Sequence, residues 1–214
     1  PDNPIINIRS YGEDVDTVSR FAAAYVEGVQ ANGAIACAKH FPGHGDTSED
    51  SHMQLATVAA TRERLEAVEL PPFQAAIDAG VGSVMSSHIW LPALMGSEGR
   101  IPATVSRGVM TDLLRGQMGF GGIVCSDSMR MRGITNNYGA GEAAVRSVQA
   151  GIDCILVSQS YREAQRAILQ AIERGEITRD HVARSAERIL RAKAWLGLHR
   201  GAQVDLAEAM ASLR

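Results

Sequence analysis

Short, continuous apolar runs alternate with longer amphipathic stretches along almost the whole chain. That alternation limits the fold more than any other feature. The runs are GAIACA (33–38), GSVMSSH (82–88), GGIVCSD (121–127) and DCILVS (153–158), each entered after Gly or Asp. Such runs suit strands of a parallel sheet covered on both faces. PIINI (4–8) is a further candidate for extended chain. Between the runs lie helical patterns such as DTVSRFAAAYVEGVQANG, ERLEAVELPPFQAAIDAG and SRGVMTDLLRGQMG, each ending near a glycine able to cap a helix. Three more follow in the second half, and Thr178 is placed to cap the last of them, with Asp180 in its first turn. Alternating βα units predict a parallel sheet with helices outside it. A doubly wound open sheet and a (β/α)-barrel both satisfy that pattern. No G-x-G-x-x-G opens a helix and no Walker-type loop occurs, which disfavours dinucleotide and nucleotide variants.

Bulk properties remove other classes. A net charge of −3 gives no electrostatic footprint for nucleic acid, and no basic run marks a membrane surface. No apolar stretch reaches the roughly 18 residues of a spanning helix. Cys37, Cys125 and Cys154 each sit inside an apolar run; an odd number so placed predicts reduced core thiols rather than a disulfide framework. Reduced thiols fit a reducing compartment, and a cytoplasmic location is the expectation. The opening PDNPIINIRS has no initiator Met and no signal-like apolar core, as a trimmed, processed or partial chain would look.

Reactive side chains gather at the ends of the apolar runs. Lys39 and His40 follow AIACA directly, His88 closes GSVMSSH, and Ser126 and Asp127 close GGIVC. Barrel enzymes build their active sites on the loops after the strands. KHFPGHGDTSEDSH (39–52) holds three histidines, three acids and a lysine around Pro42, Gly43 and Gly45. His40 and His44 stand four apart, but Pro42 and Gly43 between them disfavour a helix. A metal would have to collect His40, His44 and His52 from a loop. Asp50 and His52 are two apart in an extended or loop segment and so point to one side. A carboxylate on one imidazole nitrogen fixes the tautomer and raises the basicity of the other, and such a pair can give and retake a proton. Asp127, after a wholly apolar run, is either a rim carboxylate of a site or the N-cap of the next helix; spacing favours neither.

KHFPGHG followed by DSH, with an aspartate after a strand downstream, resembles glycoside hydrolase family 3, most closely its bacterial β-N-acetylglucosaminidases. NIRSYGED, SVMSSHI, PATVSRGVMTDLLRGQMGFGGIVCSDSM and RILRAKAWLGL resemble segments of that family in the same order, so the likeness runs over about residues 3 to 199. The resemblance implies a (β/α)8 TIM-type barrel. Residues 1–200 would be its C-terminal half to two-thirds and 201–214 a helical tail. It implies a retaining mechanism, with Asp127 as nucleophile, His52 as general acid then base, and Asp50 orienting His52 in place of the second carboxylate most retaining glycosidases use. Lys39, His40 and Arg9 would hold hydroxyls of the terminal sugar.

The remaining histidines get lesser readings. His44 holds the loop's shape, His88 lines the pocket or packs beneath it and is given no role, and His181 and His199 are surface or packing residues. Met129 and Met131 pack at the rim. The SDSMRMRG segment departs from the acidic or alanine residue often found after the family's nucleophile. The expected activity is removal of terminal β-linked N-acetylglucosamine from peptidoglycan-derived sugars in cell-wall recycling. It would need no cofactor or metal and would have a small carbohydrate as partner. A phosphorylase, a metal-dependent barrel hydrolase and an inactive sugar-binding half-barrel are the alternatives. Four or five strands cannot close a barrel, so a preceding half of the barrel is the expected further partner.

Overall fold

The computed structural model of the chain describes residues 3, 6–47, 55–201 and 210–211. Among these the strands are β1 (Cys37–Phe41), β2 (Ala56–Thr57), β3 (Ser83–Ser86), β4 (Ile89–Trp90) and β5 (Ile123–Cys125). β1, β3 and β5 form a parallel sheet in that order, and Cys154 extends it through a parallel bridge to Cys125. Each new strand is added on the same side as the last. A doubly wound sheet reverses direction at a switch point, whereas a barrel does not. The strand order is therefore that of the (β/α)-barrel class.

The helices form where the periodicity predicts them. α1 (Val15–Ala31) begins at Asp14, whose carboxylate accepts from Thr17 N at 2.8 Å. α2 (Arg62–Arg64), a π-helical turn at Leu65–Glu69 and α3 (Leu70–Asp78) make one continuous helical path. Pro71 and Pro72 bring no N–H to it, so an unbroken α ladder is impossible, and the wider turn stands just before them. α4 (Pro92–Met95), a π-helix at Gly108–Gln117, α5 (Arg132–Thr135), α6 (Ala140–Ala150), α7 (Tyr161–Glu173) and α8 (Arg179–Trp195) follow. Thr178 caps α8, its hydroxyl accepting from His181 N at 3.2 Å. Gly151 ends α6 in the left-handed conformation.

Four expectations are corrected. β1 runs through Lys39 and His40 rather than ending before them. Residues 7–9 form a 3-10 turn, not a strand; Pro4 and Ile5 lie outside the described residues. Residues 153–158 contribute a bridge and single main-chain bonds instead of a regular strand. The three cysteines are free, as expected, but half-buried rather than core. Of the tail, Met210 and Ala211 are helical and the rest of 202–214 lies outside the described residues.

The half-exposure of the thiols follows from the pleat. Cys37 pairs with Ser83, and Lys39, Met85 and Cys125 align in one row that Cys154 continues, so these residues share a face. On the opposite face Val84 and Val124 are fully buried under α3 and the π-helix, within a core that includes Phe73, Met110 and Leu114. Phe41 joins that core, its ring edge-on to Phe73 at 5.1 Å. The second face corresponds to a barrel's interior. Of its residues, Cys37, Met85, Ile123, Cys125 and Cys154 are half-buried here, Lys39 is exposed, and Ser83 is buried.

At the N-terminal ends of the strands one buried carboxylate ties three elements together. Asp153 Oδ2 accepts from Arg115 Nη2 at 2.6 Å and Val124 N at 2.9 Å; its Oδ1 accepts from Ser185 Oγ at 2.6 Å and Arg188 Nη1 at 2.8 Å. The π-helix, β5 and α8 meet on this one residue, whose side chain is 2% exposed. Arg115 Nη1 also donates to the carbonyls of Phe120 and Gly122. A buried charge is tolerable only when paired and hydrogen-bonded in this way.

Candidate active site

The opposite, C-terminal ends of the strands carry the reactive groups. In β1, Lys39 pairs with Met85 while Phe41 pairs with Ser86, so His40 is an extra residue in a bulge. A bulge at a sheet's rim re-aims a side chain. Here it brings His40 Nε2 to 3.7 Å from Asp127 Oδ2, across from β5. That separation is longer than a hydrogen bond. Burial drives the His40 pKa down to about 4, against the opposing pull of Asp127 and with help from the positive charges of Lys39 and Arg9. The ring is therefore neutral near pH 7, and its approach to Asp127 is not an ion pair. Its Nδ1 has no hydrogen-bond partner among the described residues. A neutral imidazole with unused capacity beside a carboxylate is suited to hydroxyl groups, which both donate and accept.

Asp127 does not cap a helix. α5 starts five residues on, with Met131 at its N-cap. The carboxylate instead accepts from Ser128 N through Oδ1 at 2.7 Å, which leaves Oδ2 toward His40. Ser126, fully buried, fixes the chain before it: its N donates to Cys154 O and its hydroxyl accepts from Leu156 N, both at 2.9 Å. Met129 and Met131 are buried beneath the turn, the packing role expected of them.

The glycine-rich loop after β1 is held in place by partners distant in sequence. Asn3 Nδ2 donates to the carbonyls of His44 and Gly45 at 2.7 and 2.8 Å and to Thr47 Oγ1 at 3.1 Å. His44 Nδ1 lies 2.9 Å from the Thr47 hydroxyl, and its ring stands edge-on to His40 at 5.9 Å. His44 thus keeps the shape of the loop, as expected. Gly43 has φ +133°, and a Cβ there would fall 2.8 Å from Glu69 Cβ, so both conformation and space require glycine. Glu69 is raised in pKa, chiefly by burial; one oxygen faces Arg64 Nη2 at 3.2 Å and the other has no partner among the described residues.

Of the residues expected to form the site, Asp127 and His40 are brought together, and Lys39 and Arg9 lie close enough for their charges to act on His40. Lys39 is exposed on the inner face, and Arg9 is exposed on the 3-10 turn. Asp50 and His52 lie outside the described residues. The described chain resumes at Leu55 and enters β2, which pairs with β4 in the register Ala56↔Ile89 and Thr57↔Trp90. His88, given no role from sequence, is completely buried between Thr104 and Ser128. Of the others, His181 is half-buried and His199 exposed. Asn3 and Glu69 were invisible to sequence reasoning because their contacts bridge 41 and 26 positions with no local pattern to signal them. Among the described residues no group of three or more His, Cys, Asp or Glu side chains could hold a metal ion, and no helix is long and apolar enough to cross a membrane.

A parallel sheet wound in one direction, with a carboxylate and a neutral imidazole facing each other at its C-terminal rim, is the layout of a (β/α)-barrel with a polar site on that rim. Residues 1–192 match the profile described as the glycosyl hydrolase family 3 N-terminal domain, and the chain belongs to that family. It is 37% identical over 206 residues to a β-N-acetylglucosaminidase/β-glucosidase of Cellulomonas fimi, covering 93% of this chain and 36% of the relative. A β-hexosaminidase of Chromobacterium violaceum is 35% identical over 213 residues, covering 98% and 57%. Among solved structures, a family 3 β-N-acetylglucosaminidase from Paenibacillus sp. str. FPU-7 superposes with a TM-score of 0.90 at 44% identity, over 96% of this chain and 39% of that one. A β-glucoside phosphorylase bound to 2FGlc does so with a TM-score of 0.92 at 30% identity, over 98% and 39%. The chain thus spans between about a third and just over half of the length of these relatives.

Proposed function

We propose that this chain supplies the nucleophile-bearing part of a retaining β-N-acetylglucosaminidase, acting on peptidoglycan-derived sugars during cell-wall recycling in the cytoplasm. The observation that carries the reading is the Asp127 carboxylate at the rim, one oxygen fixed by Ser128 N and the other facing the neutral His40. Asp127 Oδ2 attacks the anomeric carbon of a terminal N-acetylglucosamine. The C1–O bond to the leaving group breaks as His52 delivers its proton to that oxygen, which leaves a covalent glycosyl-enzyme. Water then attacks the same carbon, His52 takes its proton, and the ester to Asp127 breaks. Two inversions give retention. Asp50 orients His52 and stabilises its protonated form. His40, Lys39 and Arg9 hold the sugar's hydroxyls, with His40 contributing hydrogen bonds and no charge. The half-exposed inner face and the chain's partial coverage of its relatives support a closed barrel in which further strands complete the site.

The test is release of chromophore from a β-N-acetylglucosaminide by the full-length protein, with and without chelator and with added phosphate. Hydrolysis that survives chelation and is indifferent to phosphate is expected. Asp127→Ala should lower turnover by at least a thousandfold, on the order expected for loss of a nucleophile, with sugar binding retained. Wild-type turnover by that variant would remove Asp127 from the mechanism. Acceleration by phosphate would make the enzyme a phosphorylase.

A further inference from the structure

One fully enclosed polar group near the rim is not used by the proposed reaction. His88 is 0% exposed and lies two residues past β3, beneath the Asp127 turn. Its Nε2 is 3.1 Å from the Ser128 carbonyl and its Nδ1 2.8 Å from Thr104 Oγ1. A carbonyl only accepts, so Nε2 carries a proton. Burial holds the His88 pKa below the ordinary imidazole value, which leaves the ring neutral and Nδ1 a bare acceptor. The Thr104 hydroxyl therefore donates to Nδ1, and the Ser86 hydroxyl, 2.8 Å away, donates to Thr104 Oγ1. The Ser87 carbonyl, 3.0 Å from Thr104 Oγ1, is served instead by Thr104 N at 3.3 Å. All donors and acceptors around the ring are then satisfied in one consistent direction, running from Ser86 through Thr104 and His88 to Ser128.

That chain ends on the residue that orients the nucleophile. Ser128 N–H holds Asp127 Oδ1 at 2.7 Å, while Ser128 O receives His88 Nε2–H and Met131 N–H. Resting on the reading of Asp127 as nucleophile, we propose that His88 is a positioning residue: by clamping the Ser128 carbonyl from below, it keeps the Ser128 N–H aimed at Asp127 and so holds the other carboxylate oxygen in its line of attack. A bare hydrophobic filler of the same volume would pack the space without fixing the turn. Thr104 supports the ring as the second member of the same chain.

The geometry separates two conservative replacements. A glutamine amide reaches the position of Nε2 and can still donate to Ser128 O, whereas an asparagine amide reaches only the Nδ1 side. In the full-length protein, His88→Asn should lower kcat on the order of a hundredfold, the cost of a misaligned reacting group, with KM changed little. His88→Gln should stay within about fivefold of wild type, on the premise that a retained hydrogen bond preserves alignment. The Ser128 amide proton resonance, read by NMR, reports the alignment without turnover: its downfield position, the mark of a hydrogen bond to a carboxylate, is lost in His88→Asn and kept in His88→Gln. That measurement keeps the two ideas apart, since an enzyme inactive on the chromogenic sugar would sink the proposed activity while the Ser128 amide resonance still judged His88. Equal behaviour of a folded Asn variant and the Gln variant would overturn the proposal. So would failure of both to fold together with wild-type kcat in Thr104→Val, which would make His88 a packing residue.

Discussion

His40 shows how one side chain's surroundings set its chemistry. The bulge in β1 turns it inward, burial discharges it, its Nε2 faces Asp127, and its Nδ1 is left without a partner among the described residues. The same burial has a consequence for stability. Its folded pKa is about 4 and its unfolded value near 6.5, so between those limits the unfolded chain binds more protons. Stability contributed by the neutral ring is complete above pH 6.5 and is lost as pH falls toward 4. The urea midpoint should therefore drop between pH 7 and pH 5, and His40→Gln should flatten that drop. An unchanged slope in the variant would mean that other groups govern the acid response. Sequence alone could name Asp127 and His40 as members of a site, because strand ends are legible from apolar runs. It could not show that His40 is neutral, since its burial and its approach to Asp127 depend on residues far along the chain, or that Asp127 binds the next residue's N–H rather than capping α5.

At the scale of elements, the Asp153 cluster matters most to the lower end of the sheet. It joins the π-helix, β5 and α8 through four hydrogen bonds that are made only when all three are in place. Asp153→Ala leaves two arginines facing each other without a counter-charge. It should cost about 3–5 kcal/mol, the usual penalty for breaking a buried ion pair from one side, measured as a fall in the denaturation midpoint at unchanged secondary structure. A loss below about 1 kcal/mol, the value of an exposed pair, would show that the cluster is solvated in solution. Periodicity located the helices well, down to the Thr178 cap. It missed the π turns, because a helical wheel does not register whether an N–H reaches four residues back or five. It also drew β1 too short, because the polar Lys39 and His40 read as the start of a loop although their backbone still pairs with β3.

The whole molecule is a sheet with one finished face and one unfinished one. Val84 and Val124 are sealed under helices, while Cys37, Cys125 and Cys154 on the other face remain half-buried. Tyr11 and Phe21, stacked at 5.7 Å on and before α1, are exposed, as is Tyr25 beside them. On the proposal that further strands close the barrel, all three thiols should react with a maleimide in this chain under native conditions and become protected in the full-length protein. Equal labelling in both would argue that the inner face stays open to solvent. A parallel βα architecture was readable from the order of apolar runs, and the barrel from the family resemblance, but the accessibility of the thiols was not, because an apolar run does not reveal which of its alternate residues lacks a covering layer.

The two ends of the same short strands carry separate duties. Asp153 and its arginines lock the lower ends, and Asp127, His40 and the glycine-rich loop occupy the upper ends, with the fully buried Val84 and Val124 between them. Inheritance can act on these two ends independently. Loops above the sheet can lengthen, shorten or change their polar residues while the anchor below continues to specify the same framework. A lineage built on this plan can explore new ligands by rewriting the rim, and it need not rediscover how to fold each time.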